Sequence, residues 1–408
     1  MQLDWCEPLE FAARYAGEEN LVLLHSSLPH PQHGQRSILA LGLEQAAHGD
    51  WQAIAAALAS SESNDWHQRW FGFLSYEMGW PSKLPPAGIS LPTAWFGRFR
   101  SVFVFDHTDQ TLTRFGGDPS PKPNPQSPKP VITSLRSNMD KARYLQAVQQ
   151  TLEQIAAGEF YQANITRKFF GQFAETPDSF ALFTRLCEIS PASYSAYLRI
   201  GGISILSSSP ECFLTIDENG RVESRPIKGT APIETDPALL AASSKDRAEN
   251  LMIVDLMRND LSLHCEAGSV QTQKLFEVTS YATLHHMDST ITGQRAAGHF
   301  SLDVIRGCFP PGSMTGAPKK AVMQWCEQAE GQQRGIYSGA IGWLAANGAA
   351  DLSVVIRTLL IEKNRFEFQV GGGIVADSSP EKEWQETLTK ARGITNCLNI
   401  NNKDLEAI

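Results

Sequence analysis

The chain has 408 residues, of which 42% are hydrophobic and 19% charged, an ordinary globular balance with room for roughly two to three domains or one large unit. A net charge of -9 with no clustered basic run excludes a nucleic-acid surface, so any anionic ligand must be held by a few local cations. The opening MQLDWCEPLE lacks the pattern of a signal peptide, no apolar run approaches the ~20 residues of a membrane span, and the seven cysteines form no CxxC pair. Reduced thiols and a cytoplasmic setting are expected.

Residues 1–118, ahead of a composition break, alternate short apolar runs such as Val102–Phe105 with Ala-rich helical stretches such as 51–59. Proline recurs at 119, 121, 123, 125, 128 and 130, a density that favours extended chain, so 119–131 is read as a linker or exposed loop. Residues 132–400 then form the main unit. Asp140 opens a helix with Tyr144, Val148, Leu152 and Ile155 on one face, and Gly158 ends it.

Next comes RPIKGTAP, residues 225–232, where Lys228 sits in a stiff, turn-rich, mostly uncharged stretch. Either this lysine is a surface charge or the loop exists to hold it. The helix-like segment from Asp246 to Asp260 places Asp246 and Glu249 three apart, on one side.

Ile336 to Leu344 and Leu352 to Ile361 read as strands joined by the Asn347-Gly348 turn, with a third strand from Phe366 to Val370. Strands joined by short turns, with helices segregated elsewhere, predict an α+β fold. Arg357 lies in the alternating run LSVVIRTLL, where a charge often has a buried anionic partner. Gly371-Gly372-Gly373 reads either as a plain turn or bulge or as backbone N–H groups presented to an anion. Pro380 opens a second acidic helix, in which Glu383 and Glu386 lie three apart and Lys390 follows four residues later. Paired acids at this spacing repel unless a cation lies between them. They are either solvated faces or a hard-oxygen site suited to Mg²⁺. Glu211, in SSSPECF, is a base or a satisfied loop acid.

In this order the segments resemble the chorismate-utilising enzyme family. The resemblance is carried by GEFYQANITRKF (158–169), SSSPECFL (207–214), RPIKGTAP, DRAENLMIVDLMRND, LHHMDSTITG (284–293), PPGSMTGAPK (310–319), RGIYSGAIGW (334–343), DLSVVIRT (351–358) and GGGIVADSSPEKEWQETLTKA (371–391). The N-terminal GFLSYEMG (72–79) resembles the accessory region of the same family.

The resemblance implies a large α+β unit of antiparallel sheets packed together with helices outside, the N-terminal region packing on a chorismate-binding core. It implies Mg²⁺ on Glu249 and Glu386, with Asp246 and Glu383 close by. Asp246 stands where anthranilate synthases frequently carry glutamate, and its shorter reach suits a water-mediated role. Arg357, Lys390 and the backbone at Gly371 and Gly373 would take the substrate carboxylates, Tyr337 and Thr230 would line the pocket, and His286 matches a family histidine.

Within the family, PIKGT resembles the branch that aminates chorismate and keeps its enolpyruvyl ether; anthranilate synthases, the alternative, carry alanine where Lys228 stands. Gln162 occupies the place of a water-activating lysine in isochorismate-forming members. Glutamine is no general base, so water attack loses its catalyst. Lys228 is then the implied nucleophile and Glu211 the general acid. Ammonia is the implied nitrogen donor, delivered by a separate glutamine amidotransferase subunit (component II). Where some members bind regulatory tryptophan through LLES, this chain reads Leu23-Leu24-His25-Ser26, without the acid.

Overall fold

A computed structural model describes residues 1–29, 33–86, 88–124, 130–280, 284–406 and 408. Every strand pairing among them is antiparallel. Two runs of strands share the long strands Arg36–His48 and Ala94–Asp106. From them one run passes through Leu21–His25, Tyr194–Ile200, Ile203–Ser209, Thr358–Glu362 and Arg365–Ile374 to Gln162–Phe173 and the edge strand Ile132–Ser137. The other passes through Trp70–Leu74, Ala340–Leu344, Ala350–Val354, Cys212–Ile216 and Arg221–Arg225 to Leu284–Gln294. Ile227–Pro232 also pairs with Leu284–Gln294, and Gln271–Ser280 lies on its far edge.

Three apolar cores hold these layers. One lies beneath helices Lys141–Ala156, Ser179–Ile189 and Pro380–Leu398, and includes Tyr144, Val148, Leu186, Trp384 and Leu388. A second lies beneath Ser244–Ser262 and Ser301–Cys308. The third joins Val22, Leu198 and Ile205 of one run to Phe71, Phe73 and Phe99 of the other, so the sheets pack face to face. Each large apolar side chain buried this way contributes on the order of 1.5–3 kcal/mol. Among the described residues no helix is long and apolar enough to cross a membrane.

The helix signals act as their chemistry requires. Asp140 caps its helix by accepting from the Arg143 N–H at 2.8 Å, and Gly158 follows the end with φ 82°. Ser243 caps the first acidic helix, and Pro380 opens the second. The proline-rich stretch is extended but fastened. The Lys122 backbone exchanges hydrogen bonds with Gly17 and Arg14 at 2.7 Å each, and Asn124 donates to Asp178 at 2.8 Å. Residues 125–129, with Pro125 and Pro128, lie outside the described residues.

Three expectations need correction. The strand expected from Ile336 begins at Ala340, because residues 336–339 turn, with Ser338 at φ 66°. Gly371–Gly373 is neither turn nor bulge: it continues the strand to Ile374, paired with Thr166, Ile165 and Asn164. The single strand expected over 352–361 is two. Ala350–Val354 belongs to one run and Thr358–Glu362 to the other, and Arg357 sits at the break with φ 50°.

Candidate active site

The site forms where neighbouring strands change sheets. Ile203–Ser209 and Cys212–Ile216 cross over at Pro210-Glu211, beside the crossover that carries Arg357. The Val354 N–H donates to the Glu211 carbonyl at 3.0 Å and the Ser208 N–H to the Arg357 carbonyl at 3.1 Å, which ties the two breaks together. Burial raises the Glu211 carboxyl above its ordinary range, against a hydrogen bond from Ser313 and the charge of Lys228. Burial lowers the Arg357 guanidinium, and Glu211 opposes that shift.

Lys228 enters this group from the strand Ile227–Pro232, its ammonium 3.5 Å from the Ser313 carbonyl. Burial lowers its pKa most; Glu249 opposes this, Lys390 adds to it, and Glu211 and Glu386 oppose it. Gln162, 1% exposed, faces the same space with both amide atoms unpartnered among the described residues. Gly373 closes the wall between them. A Cβ there would lie 2.6 Å from Gln162 Nε2 and 3.7 Å from Lys228 Nζ, so any side chain at 373 must push the Gln162 amide aside.

The acidic helices Ser244–Ser262 and Pro380–Leu398 carry carboxylates that act on one another and on Lys228. Burial raises Glu249, with Lys228 and Lys245 pulling the other way. Burial would raise Glu386, but Lys390, whose ammonium lies 2.7 Å away, together with Lys228 and Lys245 brings it below its ordinary range. Burial raises Glu383, which accepts from Ser378 Oγ at 2.7 Å and leaves Oε2 buried and unpartnered. Asp246 accepts from the Ser243 hydroxyl and lies against Gly229, where a Cβ would be 3.1 Å away. Among the described residues no group of three or more metal-ligating side chains is gathered tightly enough to hold an ion alone. Mg²⁺ held by one or two carboxylates plus waters and substrate oxygens needs no such group. The all-oxygen donor set of Glu249, Glu386, Glu383 and Asp246 therefore fits that ion.

Other expected residues fall around this centre with distinct partners. Thr230 Oγ1 and His286 Nδ1 lie 3.0 Å apart across a strand pair, and burial pushes His286 down to about 3, so its ring is neutral. Lys390 also donates to the Gly371 carbonyl at 2.9 Å, which ties the second acidic helix to this strand. Tyr337 is buried in the turn before Ala340–Leu344, where Glu211 is among the charges acting on its hydroxyl. Ser313 is the residue the sequence reading missed. It meets Glu211 through its hydroxyl and Lys228 through its carbonyl, and the family-like PPGSMTGAPK was the only signal for it. A separate cleft of about 270 Å³, lined by His25, Tyr194, Arg225, Trp343 and Asp351, includes none of the residues around Lys228.

Fold and site together bring cations, carboxylates and a desolvated amine to one buried sheet crossover. The family described as chorismate binding enzyme matches residues 24–396, and the chain belongs to that family. It is 36% identical over 343 residues to aminodeoxychorismate synthase component 1 of Salmonella typhimurium, covering 79% of this chain and 75% of that protein. It is 44% identical over 278 residues to the aminodeoxychorismate synthase of Streptomyces griseus, covering 66% of this chain but only 38% of that longer protein. Anthranilate synthase component I of Streptococcus pneumoniae TIGR4 superposes with a TM-score of 0.78 at 25% identity, covering 90% of this chain and 93% of that one. The menaquinone-specific isochorismate synthase of Escherichia coli shares the fold, with a TM-score of 0.81 at 18% identity over 98% of this chain and 93% of its own.

Proposed function

We propose that this chain is the chorismate-aminating component of an aminodeoxychorismate synthase, forming 4-amino-4-deoxychorismate from chorismate and ammonia for para-aminobenzoate and folate synthesis. The observation that carries this reading is Lys228, a desolvated amine between a buried acid and the acidic helices, beside a glutamine that cannot activate water. Relatives named for this activity, one of them matched over three quarters of its length, support it.

In the reaction, Lys228 Nζ bonds to C2 of chorismate as the ring double bonds shift and the C4–O bond breaks. Glu211, its carboxyl raised above the ordinary range by burial, would give its proton so that the hydroxyl leaves as water. Ammonia then bonds to C4, the double bonds shift back, and Lys228 leaves C2 as the free amine. The enolpyruvyl ether is untouched. Arg357 and Lys390 would hold the substrate carboxylates with the backbone at Gly371 and Gly373, while Thr230, Tyr337, His286 and Gln162 shape the pocket. Glu249 and Glu386 would hold Mg²⁺, with Glu383 and Asp246 reaching it through water. The ion supplies charge stabilisation at the ring carboxylate. The relatives' designation as component 1 supports a second subunit, a glutamine amidotransferase that delivers ammonia.

The test is product identification by mass after incubation with chorismate, Mg²⁺ and ammonium. A product retaining the enolpyruvyl group, with no pyruvate released, is expected. Anthranilate with stoichiometric pyruvate would assign the chain to anthranilate synthesis instead.

A further inference from the structure

Behind the second acidic helix, buried polar groups stand without partners. Tyr144 is 0% exposed, and its hydroxyl has no hydrogen bond among the described residues. Glu383 is 2% exposed and leaves Oε2 unpartnered. Arg167, 0% exposed, stacks 3.9 Å from the Trp384 ring centre and 4.4 Å from that of Phe169, and none of its guanidinium nitrogens is hydrogen-bonded there. Buried groups of this kind ordinarily find protein or water partners.

Gly372 shows where the partner belongs. A Cβ at this position would lie 2.9 Å from Glu383 Oε2, 3.7 Å from the Tyr144 hydroxyl and 3.8 Å from Glu386 Oε1. Three oxygens from two helices thus converge on the side of the strand where glycine leaves no side chain. Three polar partners are what a buried water takes. Two of these oxygens belong to the carboxylates proposed to face the ion, and the third belongs to a side chain the reaction does not use.

We propose that Tyr144 is a positioning residue for the metal-facing carboxylates: its hydroxyl donates, through a water seated in the gap at Gly372, to Glu383 Oε2. That bond holds Glu383 Oε2 and fixes the carboxylate's rotation. The charge of Arg167 acts on the same Tyr144 hydroxyl. Outer partners of this kind commonly set ligand orientation and change metal affinity 10–100-fold, by general experience with metal sites. The inference rests on the Mg²⁺ assignment above.

The test follows Mn²⁺ by the electron paramagnetic resonance of the free ion, titrated into the protein with chorismate present and ammonia absent. Tyr144→Phe keeps the ring against Trp384, whose centre is 5.8 Å away, so the fold has every reason to survive. Mn²⁺ binding about 10-fold weaker, with the melting temperature unchanged, is expected. Gly372→Ala fills the gap without touching Tyr144 and is expected to weaken binding as much. Mn²⁺ affinity in Tyr144→Phe equal to wild type overturns the role of Tyr144, even if Gly372→Ala binds poorly. No Mn²⁺ binding by wild type overturns the metal assignment and this inference with it.

Discussion

Lys228 is a nucleophile only as the neutral amine, and its surroundings decide how much of it is neutral. Burial favours the uncharged form, so its pKa in the fold lies below the ordinary 10.5. The neutral fraction therefore grows as pH rises through that lowered value. Intact-protein mass spectrometry with chorismate and Mg²⁺ but no ammonia is expected to show substrate minus water on wild type and nothing on Lys228→Ala. The rate of adduct formation should rise with pH and level off before an ordinary lysine titrates; a profile still climbing at pH 10.5 would show that burial is not tuning the amine. The same sign argument applies to His25, which is buried, lies 2.9 Å from Ser37 Oγ and is pushed down to about 3 by burial and by His107. A depressed folded value means that the unfolded chain takes up the proton first. The contribution is complete above pH 6.5 and is lost as pH falls toward about 3, at about 1.4 kcal/mol per pH unit. Replacing His25 by Gln is expected to flatten the fall of unfolding free energy across that window, measured by urea melts at several pH values against wild type. Lys228 stood out in the sequence as a lysine in a mostly uncharged stretch, but that stretch, read as turn-rich, is the strand Ile227–Pro232. Ser313 did not stand out, because its role depends on the loop 311–316 being held from afar, partly by Arg334 donating to the Met314 carbonyl at 2.8 Å.

Elements were legible where the local signal and the tertiary demand agree. The second acidic helix starts at Pro380 as its sequence says, and the first starts two residues before Asp246, capped by Ser243. LSVVIRTLL misled because its alternation suits one long strand as well as two short ones. The break is fixed by distant partners: Val355 donates to Gly339 and Ser338 to Val355, each at 2.9 Å, and no local residue announces either bond. The three glycines likewise look like a turn until Gln162, Glu383 and Lys228 are found packed against them. Gly373→Ala is therefore expected to lower kcat/KM on the order of 100-fold, since a group displaced by about 1 Å in a site has that effect. The melting temperature should barely move; unaltered kinetics would mean that Gln162 has room to yield. On the helices, Glu249→Gln and Glu386→Gln should each move the Mg²⁺ dependence of turnover to higher concentration by roughly tenfold or more, as an expected second-order effect of losing a charged ligand. Each variant relieves repulsion between crowded acids, so both should fold. Glu386 gives up an exposed pair with Lys390, worth about 0–1 kcal/mol. An unchanged Mg²⁺ titration in both variants would return these faces to ordinary solvated charge.

At the scale of the whole molecule, the α+β class was legible, because short turns between strands exclude a parallel sheet. The interlocking was not. Leu21–His25 pairs with Tyr194–Ile200 and Trp70–Leu74 with Ala340–Leu344, so strands from the first hundred residues complete both sheets of the unit that holds Lys228. Pairings across such separations have no signature in local periodicity. Given this architecture, the source of nitrogen can be argued from the cysteines. Glutamine hydrolysis by an amidotransferase needs a thiolate on an open, glycine-rich turn with a histidine partner. Six of the seven cysteines are buried; the half-buried Cys6 has its thiol raised by burial, so none is an exposed, activated thiolate. Cys308 ends the helix Ser301–Cys308 fully inside the core, and Pro310 and Pro311 after Phe309 remove two of the N–H groups an oxyanion hole would use. Cys265 lies on a bridge to Arg295, and burial raises its thiol to about 11. The chain should therefore aminate chorismate with ammonium and leave glutamine untouched until an amidotransferase subunit is added. The measurement supplies the purified chain with chorismate, Mg²⁺ and glutamine as the sole nitrogen source. Background turnover is expected, rising on addition of ammonium; steady amination matched by glutamate release, in a preparation free of a second protein, would show that this fold hydrolyses glutamine itself.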